Sequence, residues 1–166
     1  MLYMVECGFR DQSREAAWSE WYSGPKLASL LALPGFEASQ RFRAVDDGPA
    51  PWLAVHTVPG AAFFDRANYR GAGGGGFGAW QADIIDWSRN LFDGRHTLPE
   101  VPEDAFLAVV DSADGPADCP GFDLDWLRCA GLDRTVAWRG WALAGTPDRP
   151  PGGRLWRPVT PRLTGN

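Results

Sequence analysis

Residues 79–92 read AWQADIIDWSRNLF, and the reading of this stretch decides how the chain is assembled. Trp80, Ile84, Trp87 and Leu91 fall at i, i+4, i+7 and i+11, the spacing of one apolar stripe along an α-helix. Such a stripe buries against a sheet. On this reading 79–92 completes a helical region that starts near 61–69 and is divided by the glycine-rich run at 71–76.

Upstream the periods are clear. Tyr3, Val5, Cys7 and Phe9 alternate with Met4, Glu6 and Gly8, which predicts a strand over 3–9. Asp11 or Ser13 can cap the next element, with Glu15 adding first-turn negative charge. Trp18, Trp21, Tyr22, Leu27, Leu30 and Leu31 then recur at three- and four-residue intervals, a helix over 14–33 that Gly24-Pro25 must bend. Leu33-Pro34-Gly35-Phe36 turns the chain into a strand near 37–45. A loop at 46–49 leads to a second strand over 52–58, where Trp52, Ala54, His56 and Val58 share a face.

A compact apolar run at 106–111 adds a further strand, so the order through residue 111 is β-α-β-β-α-β. That is an α+β, ferredoxin-like plan for residues 1–111. Residues 112–166 read as a C-terminal elaboration: a short helix at 122–130, a strand at 135–144, and a Pro/Gly-rich tail that is draped or disordered. Cys119-Pro120-Gly121-Phe122 echoes the earlier turn, but the match is three residues long and reads as chance. Two helices cover one side of such a sheet, so its other apolar face needs a cover, from a partner or from the tail.

At 166 residues, 45% apolar and 22% charged, the chain suits one domain with a real core. A net charge of −5 argues against nucleic acid and anionic membranes, both of which call for a basic footprint. No run approaches the ~18 apolar residues of a membrane span. The start, MLYMVECGFRD, lacks the pattern of a signal peptide, so the expected compartment is the cytoplasm. Three cysteines without a C-x-x-C pair fit reduced thiols. Nine tryptophans either fill a core or line an apolar pocket.

Four short segments carry a family resemblance: Glu20-Trp21-Tyr22, the turn from Leu31 to Phe36, Gln40-Arg41-Phe42, and Trp52-Leu53-Ala54-Val55. Together they resemble the dimeric α+β-barrel superfamily, and most its EthD-like branch. The resemblance implies a ferredoxin-like protomer that forms a homodimer through its sheet, making a barrel across two copies. It also implies cofactor-independent chemistry on small aromatic or polyketide-like molecules. Where relatives commonly read Trp-Tyr-x-x-x-His, Lys26 stands in place of the histidine. A lysine, with an ordinary pKa near ~10.4, acts as a base only if burial lowers it.

The resulting candidates are His56 and Lys26 as catalytic groups, with Trp21, Tyr22, Asp83 and Trp87 lining a substrate pocket. Each has a plainer reading. His56 can be a strand histidine bonded to a neighbour such as Glu6 or Tyr22, Asp83 a solvated acid beside Trp87, and Trp21 and Tyr22 core. Arg41 and Arg43, on one face with Ser39, can receive a carboxylate or make surface ion pairs. No spacing of His, Cys, Asp or Glu suggests a metal, and the glycine run lacks the Gly-Lys-Ser/Thr of a phosphate loop, leaving a connection or a lid. No cofactor is expected. The rival function is a non-catalytic small-molecule-binding or assembly module with a solidly packed barrel. An apolar pocket of ~300 Å³ or more with convergent polar groups favours the enzyme; a filled barrel favours the module.

Overall fold

The structure, a computed structural model, describes residues 1–71 and 76–165. Strand β1 (Leu2–Phe9) sends Leu2 and Met4 to one side and Tyr3, Val5, Cys7 and Phe9 to the other, as period two requires. Helix α1 (Gln12–Trp21) follows, capped by Asp11, whose carboxylate accepts from the Ser13 N–H at 3.0 Å. Pro25 cannot donate to the preceding turn, and Tyr22–Lys26 widen into a π-turn before α2 (Leu27–Leu31) resumes. Strands β2 (Ala38–Ala44) and β3 (Trp52–Thr57) form the next hairpin. Short helical turns at Ala61–Asp65, at Ala67–Gly71 (α3) and at Gly78–Asp83 lead into β4 (Ile84–Asp93). The rest of the chain is strand and loop: β5 (Phe106–Ser112), β6 (Asp125–Leu132), β7 (Trp138–Ala144), β8 (Arg154–Pro158) and the two-residue β9 (Leu163–Thr164).

Every pairing is antiparallel, and eight strands close into a barrel in the order β3-β1-β4-β6-β7-β5-β8-β2, with β2 returning to β3. Counted separately, β1–β4 and β5–β8 each stand in the order 4-1-3-2. The fourth strand of each quartet pairs with the second of the other, β4 with β6 and β8 with β2. The turns before the two second strands match as well. Phe36 N–H donates to Leu33 O and Phe122 N–H to Cys119 O, both at 2.9 Å, with Gly35 (φ 94°) and Gly121 (φ 84°) in the left-handed region that glycine alone enters freely. The echo of Leu-Pro-Gly-Phe in Cys-Pro-Gly-Phe, which reads as chance in sequence, therefore marks equivalent places in two like halves.

The lumen is filled. Leu2, Met4, Phe42, Leu53, Val55, Phe92, Leu107, Val109, Leu127, Trp141 and Trp156 pack into one cluster, and Leu98 and Val101 from the linking segment join it. Gln40 anchors that linker by accepting from Val101 N–H at 3.0 Å and donating to Val101 O at 2.8 Å. A second cluster lies outside the barrel, where α1, α2 and the 58–80 segment cover β1 and β3. Among the described residues, the outer face of β5, β7 and β8 has no helix and holds a small cluster of Phe106, Ala108, Ala144 and Leu155.

These facts correct the expected architecture. The chain is not a ferredoxin-like βαββαβ protomer of a dimeric α+β barrel, and the EthD-like assignment falls with it, because a single chain closes an eight-stranded barrel with few, short helices. The sheet face assigned to a second copy is covered by β5–β8 of the same chain. Residues 84–92 and 125–130, expected within helices at 79–92 and 122–130, are strand. In both, a β-bulge breaks the period: the β1–β4 register shifts between Glu6 and Gly8, and the β4–β6 register between Leu91 and Phe92. Asp86, at φ 48°, lies in the first of these irregular stretches. The tail, expected as draped or disordered, supplies β8 and β9. Residues 72–75, most of the glycine-rich run read as a connection or lid, lie outside the described residues.

Candidate functional site

The layer between α1–α2 and the outer face of β1–β3 collects most of the expected site. Trp18 enters it from α1 with no exposure, stacked on Phe9 at 5.0 Å and edge-on to Trp52 at 5.2 Å. Arg41 reaches up from β2, 2% exposed. Its guanidinium donates to Ser19 O at 2.7 Å and Ser23 Oγ at 2.6 Å, and lies over Tyr22 (4.3 Å), Trp52 (4.9 Å) and Trp18 (5.2 Å). Burial pulls its pKa down to about 10, which leaves it charged at neutral pH. Nearby Cys7 is pushed up to about 12, chiefly by burial. The thiol stays protonated and unreactive.

His56 stands on β3 directly across from Ser39 on β2, and Ser39 Oγ lies 2.9 Å from His56 Nδ1. A hydroxyl beside an imidazole is the start of a nucleophile–base pair. Here both residues are 1% exposed, with Tyr3 and Phe36 packed against the ring at 5.3 and 4.9 Å. Burial first, then the positive charges of Lys26 and Arg41, holds the imidazole down to about 3. The ring is neutral and walled in. Its Nε2 has no hydrogen-bond partner among the described residues, and burial raises the nearby phenols of Tyr3 and Tyr69.

The structure brings His56, Lys26 and Tyr22 into this one layer. Burial draws Lys26 below its ordinary value, the direction a general base requires. Trp21 sits at the layer's rim against Tyr22 and Trp80. Asp83 and Trp87 do not face a pocket together, because 84–92 is strand. Asp83 is tied to Arg14 at 2.7 Å, and Trp87 is exposed beside Phe77 and Arg89. Glu6, a proposed partner of His56, points to the opposite face and into the barrel, where it meets Arg139. Ser39 and Arg41, expected with Arg43 as a carboxylate receiver or a surface ion pair, instead lie buried in this layer, Ser39 against His56 and Arg41 among the aromatic rings. The signal was present in the shared parity of Ser39, Arg41 and the face of β3 that carries His56.

The space this layer keeps beside Arg41, walled by Val5, Cys7, Trp18, Tyr22 and Trp52, is about 10 Å³. That is no more than one water needs. Larger concavities lie elsewhere. A groove of about 830 Å³ opens where β6 and β7 part, between residues 120–125 and 141–151. A neighbouring groove of about 540 Å³ runs along the other side of 116–126. Among the described residues no group of three or more His, Cys, Asp or Glu could hold a metal ion, and no helix is long and apolar enough to cross a membrane.

No protein-family model, curated protein or solved structure matches the chain significantly.

Proposed function

We propose that the chain is a non-catalytic binding or assembly module that engages its partner through its outer surface. The observation that carries this reading is the state of His56: its Nδ1 is taken by Ser39, its ring is sealed by Tyr3 and Phe36, and its pKa is near 3. A general base has to titrate near the working pH and reach its substrate. Cys7 supports the same conclusion, since its thiol is buried and far from ionising. Both interiors that could take a small apolar molecule are occupied by side chains, and the void beside Arg41 is far below the several hundred Å³ that ligand pockets usually span.

The cytoplasm fits three free cysteines. An apolar lumen, with helices over one outer face, is the reverse of a lipid-facing barrel with a polar interior. The net charge of −5 disfavours nucleic acid.

Flat aromatic probes test the proposal. Indole, salicylate and 1-naphthol, titrated into ¹⁵N-labelled protein, are expected to leave the indole N–H signals of Trp18 and Trp52 in place and the melting temperature unchanged. Saturable shifts of both signals together with thermal stabilisation would restore the enzyme reading of the helix–sheet layer.

A further inference from the structure

The two quartets differ at one matching place. In the first, the β2–β3 ladder stays closed to its end, through Ala38↔Thr57, and Glu37 N–H continues it to Thr57 O at 2.9 Å. In the second, β6 pairs with β7 only as far as Asp125↔Trp141, while β7 runs on beside β5 to Phe106↔Ala144. Continued register would set Leu124 against Ala142 and Asp123 against Leu143. Instead the chain leaves along the Cys119–Phe122 turn, which closes on itself. Among the described residues, Ala142, Leu143 and Ala144 have a strand neighbour on the β5 side only.

The groove of about 830 Å³ lies along this opening. Leu143 projects beside it, 46% exposed and one of few large apolar side chains in the open. The rim is acidic. Asp123, Asp125 and Asp148 line it against a single lining guanidinium, Arg149, which donates to Gly153 O at 2.5 Å. Arg95 reaches Asp125 from outside the groove. A free strand edge with one apolar anchor and flanking carboxylates suits a strand that carries apolar and basic residues in alternation. The chain already adds a short extended segment in this way: β9, two residues long, pairs with the start of β2 through Ala38↔Thr164 and Ser39↔Leu163.

We propose that the parted end of β6 and β7 takes an extended basic peptide segment of a partner protein as an added strand along Ala142–Ala144. This inference rests on the reading of the chain as a binding module and names its partner chemistry.

The test is a titration of ¹⁵N-labelled full-length protein with a capped peptide of alternating lysine and valine. The controls are the glutamate–valine counterpart and the lysine–valine peptide with a methylated backbone. Amide shifts are expected at 122–125 and 142–146, with affinity falling about ten-fold in the D123K/D148K variant or at raised salt. The variant's unchanged spectrum elsewhere would show that it folds. Equal binding of the acidic or methylated peptide, shifts at other surfaces, or no shifts at millimolar peptide would overturn the site. If the lysine–valine peptide is silent while aromatic probes also fail to enter the helix–sheet layer, this site falls alone. Entry of the aromatic probes would remove the module reading itself.

Discussion

Glu6 on β1 and Asp111 on β5 hold one guanidinium from opposite walls of the barrel: Arg139 meets Glu6 at 2.6 Å and Asp111 at 2.7 Å. The two acids occupy matching places in their quartets. Glu6 stands across from Leu53, and Asp111 across from Arg139. The like halves thus supply two acids, and one arginine in place of a leucine pairs with both. Burial opposes the charge on Arg139, but Glu6 and Asp111 more than offset it and hold the group above its usual range.

Arg139→Met should therefore destabilise the fold, since it leaves Glu6 facing an apolar lumen without a partner. The expected loss is about 3 kcal/mol, the low end for a broken buried pair because Asp111 is partly exposed and can rehydrate. Urea denaturation measures it. A midpoint equal to that of the native chain would mean the cluster carries no net stability.

His56 makes stability depend on pH in a window set by its own shift. The unfolded chain takes a proton near ~6.5, whereas the native ring stays neutral down to about 3. The unfolded state therefore binds more protons between those values, and stability present above 6.5 is lost as the pH falls. Between pH 7 and 5, above the range where carboxylates titrate, the loss should reach about 2 kcal/mol. His56→Gln should flatten that part of the curve even if it lowers the whole of it. An unchanged slope would place the acid sensitivity in another group.

The three thiols should separate under a disulfide reagent. Cys119 and Cys129 are half-buried and should react with the native protein, while Cys7, buried and held up to about 12, should react only as fast as the chain unfolds. Mass mapping of the labelled sites gives the order. Early modification of Cys7 would show that the helix–sheet layer opens readily.

The chain should sediment as a monomer at micromolar concentration, because the two sheet faces that carry the large apolar clusters are covered by its own strands or helices. A dimer that survives dilution would point to an additional interface outside the barrel.

The elements with clean periods were legible from sequence: β1, the bent α1–α2 segment, β2, β3 and β7 lie where alternation or helical spacing places them, and β5 lies on its compact apolar run. The two strands taken for helices carry bulges, and an inserted residue shifts parity within a few positions. In β4 the shift leaves Ile84, Trp87 and Leu91 at helical spacing by coincidence, and Trp80 stands in the turn before the strand. Strands β8 and β9 hide in Pro/Gly-rich sequence, where only Leu155, Trp156 and Leu163 show the pattern. Once β4 is taken as a helix, the eight-stranded closure is out of reach. The candidate layer was found in part: His56, Tyr22 and Lys26 meet there, but the partner of His56 is set by the β2–β3 register, which sequence spacing alone leaves free.

Cross-strand NOEs across the two seams between the quartets test the closed barrel most directly. A single closed chain requires backbone contacts between 90–93 and 128–132, and between 42–44 and 156–158. It also requires strand-type sequential patterns through 84–93 and 125–132. Helical sequential contacts through either segment, with no cross-peaks at the seams, would contradict the barrel and with it the filled interior on which the binding role depends.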